Sequence, residues 1–150
     1  MNIAHLHLIL NHLPITFVIL GFIVMVLGFL FKSEMVKRIA YLVFIFGALF
    51  GYAAFYTGEK SKQLIEGIIG IDERLIMTHE EIALVFLTFL YMLGILSLIG
   101  LIASWRTKPY SKIIDFVTII FLIIVIYFAV QTGATGVEIR HSEIFESLVN

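Results

Sequence analysis

The 150-residue chain is 61% hydrophobic and only 14% charged, with a mean hydropathy of +1.06. A soluble domain of this length is about half apolar and a quarter charged, so the composition specifies a membrane protein with little room for a separate soluble domain. A net charge of −1 points to neither nucleic acid nor another polyanionic partner, and the lack of cysteine excludes disulfides, Cys-ligated iron–sulfur clusters and covalently attached c-type haem.

The chain opens on Met1-Asn2-Ile3-Ala4, without Lys or Arg, and no small-residue cleavage site follows the first apolar run. That run is therefore expected to stay as a helix and not to be removed as a signal peptide. Next comes His5-Leu6-His7-Leu8-Ile9-Leu10-Asn11-His12-Leu13-Pro14-Ile15, which gathers three imidazoles and a proline at the mouth of an apolar segment. Histidine is the commonest metal ligand and titrates near neutrality. Ionisable groups at a membrane mouth are costly to keep for packing alone.

Four apolar stretches each approach the ~20 residues needed to cross a bilayer. The first runs from Leu13 to Phe31; its helix either starts at Pro14 or begins earlier and kinks there. The second, Ile39 to Thr57, contains Gly47-Ala48-Leu49-Phe50-Gly51, a close-approach pair expected to pack within the molecule. The third runs from Thr78 to Trp105, with Thr78-His79-Glu80-Glu81 in capping-box form, or alternatively from Asp72 as a longer helix. The fourth, Ser111 to Thr132, is rich in Ile, Val and Phe, and in a bilayer only a helix satisfies its backbone. The expected fold is all-α: a single four-transmembrane-helix up-down bundle over residues 1–150.

Lys32, Lys37 and Arg38 follow the first span, and Arg106, Lys108 and Lys112 follow the third. Most acids fall on the other side. The positive-inside rule puts the basic loops in the cytoplasm and both termini outside, with every histidine on the outer side. Ser61–Gly70 and the Ile144–Val149 tail carry apolar residues at helical spacing. Each reads as an interfacial helix, either a lid over the bundle or a connector with its apolar side in lipid.

The two halves share one order: His12 or His79, span, basic loop, span, then Thr57-Gly58 or Thr132-Gly133. Two copies in the same orientation imply a pseudo-twofold along the membrane normal. His12 and His79 would then face each other across a diagonal of roughly 12–14 Å, the span of two imidazoles and an iron. They are the expected axial ligands of a b-type haem. His7 and His141 are expected to form a second site or to support the first. Thr57, Glu59, Thr132 and Glu138 would orient the imidazoles by accepting their other N–H. For His5 or His7 taken singly, a capping or interfacial role is the simpler reading. A carboxylate-bridged di-metal centre needs more than the single Glu138-Ile139-Arg140-His141, and His79-Glu80-Glu81-Ile82-Ala83 lacks the second His of a zinc-protease motif.

His7-x4-His12-Leu13-Pro14-Ile15 resembles the His-Pro…His-Phe-Pro-Ile opening of a widespread bacterial family of small four-helix membrane proteins without a settled activity. The resemblance continues through Thr57-Gly58-Glu59, His79 and Gly136-Val137-Glu138-Ile139-Arg140-His141, nearly the whole chain. Leu8 replaces the family's proline and Leu13 its Phe. Some members look fused to Rieske or c-type cytochrome domains, which implies membrane electron transfer. The expected function is a haem b protein of the bacterial cytoplasmic membrane. It would pass electrons between a quinol or membrane partner and an outer-side redox protein, without substrate chemistry of its own. The alternative is a non-catalytic membrane subunit whose histidines hold Zn or Cu, or nothing.

Overall fold

Residues 3–65 and 73–140 are described by a computed structural model, and every regular element among them is helical. Helix α1 spans Ile3–Leu10, α2 His12–Leu30, α3 Glu34–Ile65, α4 Glu73–Trp105 and α5 Ser111–Arg140. Four segments are long and apolar enough to cross a membrane: His5–Leu30, Glu34–Lys62, Glu73–Trp105 and Ser111–Ile139. The first joins α1 and α2. Pro14 has no N–H to give the Leu10 carbonyl, so the helix breaks at Asn11, whose own N–H still reaches the His7 carbonyl at 2.8 Å. The apolar run thus starts well before Pro14, and Asn11 between the two helices keeps right-handed helical angles (φ −63°, ψ −26°).

α2 packs on α3, α3 on α4 and α4 on α5, while α5 closes back on α2; α1 lies against the far end of α3. The diagonals of this up-down bundle are α2/α4 and α3/α5, as the parallel repeat requires. Both loops end their helices with a left-handed residue, Lys32 (φ 50°) and Thr107 (φ 48°). Each makes the paired bonds of a Schellman ending: Ser33 N–H to Gly28 carbonyl at 2.9 Å, and Lys108 N–H to Ala103 carbonyl at 3.0 Å.

The core is a column of fully buried side chains, including Met25, Tyr41, Phe44, Leu90, Leu93, Leu122 and Val125. Ile23, Leu49, Ile95, Ile123 and Tyr127 are among the many large apolar residues left exposed, a surface suited to lipid. A Cβ on Gly47 would stand 3.1 Å from the Phe17 Cβ, and one on Gly51 3.0 Å from Leu87 and Leu90. The close-approach pair is used inside the bundle.

Burial reveals the repeat in a sharper register than the motifs do. The buried positions of α2 (Pro14, Val18, Gly21, Met25, Gly28) recur 72 residues on as Phe86, Leu90, Leu93, Ser97 and Gly100, all buried in α4. The buried Lys37, Phe44, Gly51, Ala54 and Thr57 of α3 recur 78 residues on as Asp115, Leu122, Ala129, Thr132 and Thr135, buried in α5. Thr57-Gly58 is therefore matched by Thr135-Gly136, not Thr132-Gly133. Neither pair ends a helix, since α3 continues to Ile65 and α5 to Arg140. Each threonine returns its hydroxyl to the preceding turn, so the helix passes through without losing a backbone bond. α4 likewise begins at Glu73, and Thr78 bonds back to the Arg74 carbonyl at 2.9 Å, so it is no cap.

Candidate functional site

His5, His7, His12 and His79 lie at one end of the bundle, opposite the two basic loops. His12 stands five positions after His7, a turn of about 140° on a helix, so the two cannot share a face. His7 is the one turned inward. His5 and His12, seven apart, share the exposed face.

Nδ1 of His7 lies 3.1 Å from the Ala54 carbonyl and 3.2 Å from the Thr57 hydroxyl. A carbonyl only accepts, and the Thr57 hydroxyl gives its proton to the Ala53 and Ala54 carbonyls. Nδ1 must therefore carry the hydrogen, which leaves Nε2 with a free lone pair. The ring lies on Gly58, where a Cβ would stand 3.0 Å from its Cε1.

His79 repeats this arrangement on α5. Its Nδ1 lies 2.9 Å from the Thr135 hydroxyl, which gives its own proton to the Gln131 and Thr132 carbonyls. The Thr132 carbonyl also faces the ring. A Cβ on Gly136 would stand 3.3 Å from Cε1. Each half thus supplies one imidazole, seated on a Thr-Gly step of the neighbouring helix, with Nδ1–H anchored and Nε2 without a hydrogen-bond partner among the described residues. Two turns inward, Pro14 and Phe86 occupy equivalent buried positions.

Of the residues singled out from sequence, His12, expected opposite His79, is exposed, and His7 is the imidazole seated on α3 as His79 is seated on α5. Thr132 contributes a carbonyl, while its hydroxyl bonds to the Phe128 carbonyl at 2.8 Å. Thr135 is the hydroxyl that sequence reasoning missed. The signal that finds it is its 78-residue spacing from Thr57. Glu59 is exposed and Glu138 half-buried, and neither is among the described hydrogen-bond partners of His7 or His79. His141, residues 66–70 of the 61–70 segment and the 144–149 tail lie outside the described residues, while residues 61–65 continue α3 without a break. Among the described residues, no group of three or more His, Asp or Glu side chains is placed to hold a metal ion.

A second polar cluster, also missed, sits at the loop end. Lys37, read from sequence as a loop charge, is buried and ion-pairs with Asp115 and, at 2.6 Å, with Glu34. Tyr41, fully buried, donates to the other Asp115 oxygen at 2.7 Å. Arg38 donates to Ser104 through Nε at 2.9 Å and through its terminal nitrogen to the Ser104 carbonyl at 2.8 Å.

No protein-family model, curated protein or solved structure matches the chain. What the two ends do must be argued from their own chemistry.

Proposed function

We propose that the protein is a membrane electron-transfer component that holds b-type haem between His7 and His79. The observation that carries this reading is the doubled cradle. A bis-imidazole centre needs two neutral rings, each with one nitrogen anchored by a hydrogen bond and the other free, presented from opposite sides. His7 on Ala54, Thr57 and Gly58, and His79 on Thr132, Thr135 and Gly136, supply two such anchored rings, one from each half of the repeat, and this supports the reading. Among the described residues, His7 and His79 would be the two that hold the haem, and they fall short of the four ligands of a structural zinc site. When bound, the haem would supply one-electron chemistry. The protein's own share is to hold the imidazoles in one tautomer, wall the site with apolar side chains and keep water from its inner face.

The positive-inside rule places this end on the outer side of a bacterial cytoplasmic membrane, with both termini there. Electrons would then pass between a quinol or membrane partner and an outer-side redox protein.

The deciding measurement is a reduced-minus-oxidised visible spectrum of protein made in haem-supplied cells and kept in a mild detergent. Sharp low-spin bands are expected, abolished or turned high-spin by His7→Ala and by His79→Ala but retained by His12→Ala. A colourless sample would overturn the haem reading. A second reading is favoured by the way each imidazole ties two helices together, α1 to α3 and α4 to α5: a subunit with structural histidines. Metal analysis of the same colourless sample, for Zn or Cu, would divide that reading.

A further inference from the structure

Lys37 and Asp115 occupy the same position in the two halves, 78 residues apart, and they touch. Residues related by a twofold meet only at the axis. The pseudo-twofold therefore runs through this ion pair at the loop end of the bundle and between His7 and His79 at the other. α3 and α5 are diagonal, so only long side chains bridge them there. The surroundings are shaped for the bridge. A Cβ on Gly28 would stand 2.6 Å from the Lys37 Cγ, and one on the equivalent Gly100 would stand 2.4 Å from the Tyr41 ring.

An axial position is matched with itself whenever two like halves pair. Two first halves would bury Lys37 against Lys37, and two second halves would bury Asp115 against Asp115. These side chains are 7% and 3% exposed, and like charges so placed repel with little solvent screening. Only a first half paired with a second half places opposite charges on the axis and gives Asp115 both Lys37 and Tyr41 as donors.

We propose that the Lys37–Asp115 pair is a selectivity device. It makes each half of the repeat accept only the unlike half as its partner, and so ensures that the opposite end is built from one His7 cradle and one His79 cradle. The buried inner face of each half is thus an interaction surface whose fitting partner is the other half, within one chain or between two copies.

The test uses full-length chains. Lys37→Asp and Asp115→Lys each place like charges on the axis. Each variant alone should yield at least about tenfold less monodisperse folded protein than the wild type. Co-expressed under different tags, the two should rescue each other. The aspartate introduced in one chain then meets the lysine introduced in the other, and the native Lys37 and Asp115 left in the two chains meet as well. The expected product is a folded heterodimer carrying both tags. The neutral Lys37→Met/Asp115→Asn double variant should fold within about twofold of the wild type, since replacing both partners of a buried pair is often tolerated. Wild-type yields from either single variant, or no rescue on co-expression, would overturn the proposal. So would a double variant as poor as the single ones, which would make the pair a stability element.

Discussion

The Oγ1 of Thr135 lies 2.9 Å from the Nδ1 of His79 and within 3.2 Å of the carbonyls of Gln131 and Thr132, so with its one proton directed to a carbonyl it accepts from the ring. A hydroxyl committed in this way dictates the tautomer of the ring it touches. Thr57 does the same for His7.

This gives a prediction independent of any cofactor. In cofactor-free protein with ¹⁵N-labelled histidine, the neutral rings of His7 and His79 should carry their hydrogen on Nδ1, readable from the nitrogen shifts. His5 and His12, both exposed, should show the mixture of a solvated ring. Thr57→Val and Thr135→Val should each loosen the lock, at about 1 kcal/mol for one lost hydrogen bond. A predominantly Nε2–H ring at either site would contradict the cradle geometry.

The glycines of α5 should divide sharply over one turn. Gly133 has only Ile15 within 4 Å of an added Cβ, at 3.9 Å, so Gly133→Ala should gain up to about 1 kcal/mol from helix propensity. At Gly136 the same gain meets the His79 ring at 3.3 Å, and at Gly58 the His7 ring at 3.0 Å. Gly136→Ala should come out near neutral in stability. Gly58→Ala should lose about 1 kcal/mol or more, as overpacked sites do. Thermal midpoints in one detergent would check the order Gly133→Ala, Gly136→Ala, Gly58→Ala.

Deeper in the bundle the space is tighter. A Cβ on Gly21 would stand 2.3 Å from the Phe44 ring, and one on Gly94 2.8 Å from the Ala48 Cβ. Alanine at Gly21 or Gly94 should cost about 1–3 kcal/mol, because ring or backbone must shift. Denaturation in a graded series of detergent mixtures would measure it. Wild-type stability for Gly94→Ala would mean that α3 and α4 lie further apart than described.

Orientation is open to labelling. Because the basic loops are expected inside, cysteines at Ser33 and Thr107 should resist an impermeant thiol reagent in intact cells. Cysteines at the exposed Lys60 and Glu73 should react. Ser61 is a poor reporter, being buried and bonded to the Thr57 carbonyl at 2.7 Å. The chain has no native cysteine to interfere. The opposite pattern would move the histidines to the cytoplasmic side.

Sequence alone determined the number and approximate place of the long apolar helices, because a bilayer leaves so few ways to satisfy a backbone and ~20 apolar residues are needed for each crossing. It also determined that the histidines gather at one end, since the alternation of spans fixes the end at which each residue emerges. The diagonal of α2 and α4 followed from the repeated order of motifs.

Tertiary structure decided which histidine faces inward, because the packing of α1 on α3 sets the rotation of that helix. The choice between His7 and His12 is a rotation of about 140°, and three histidines spaced two and five apart present candidates on both sides. The register of the second cradle was decided the same way. Thr132 and Thr135 differ by one turn and both precede glycine, and what tells them apart is the hydroxyl contact of Thr135 with His79 and the buried register that sets it 78 residues after Thr57. Lys37 reads as a loop charge until α3 and α5 are set on a diagonal, and its meeting with Asp115 depends on contacts between residues far apart in the chain. Hydropathy records how apolar a segment is, but not the direction in which each polar side chain is turned.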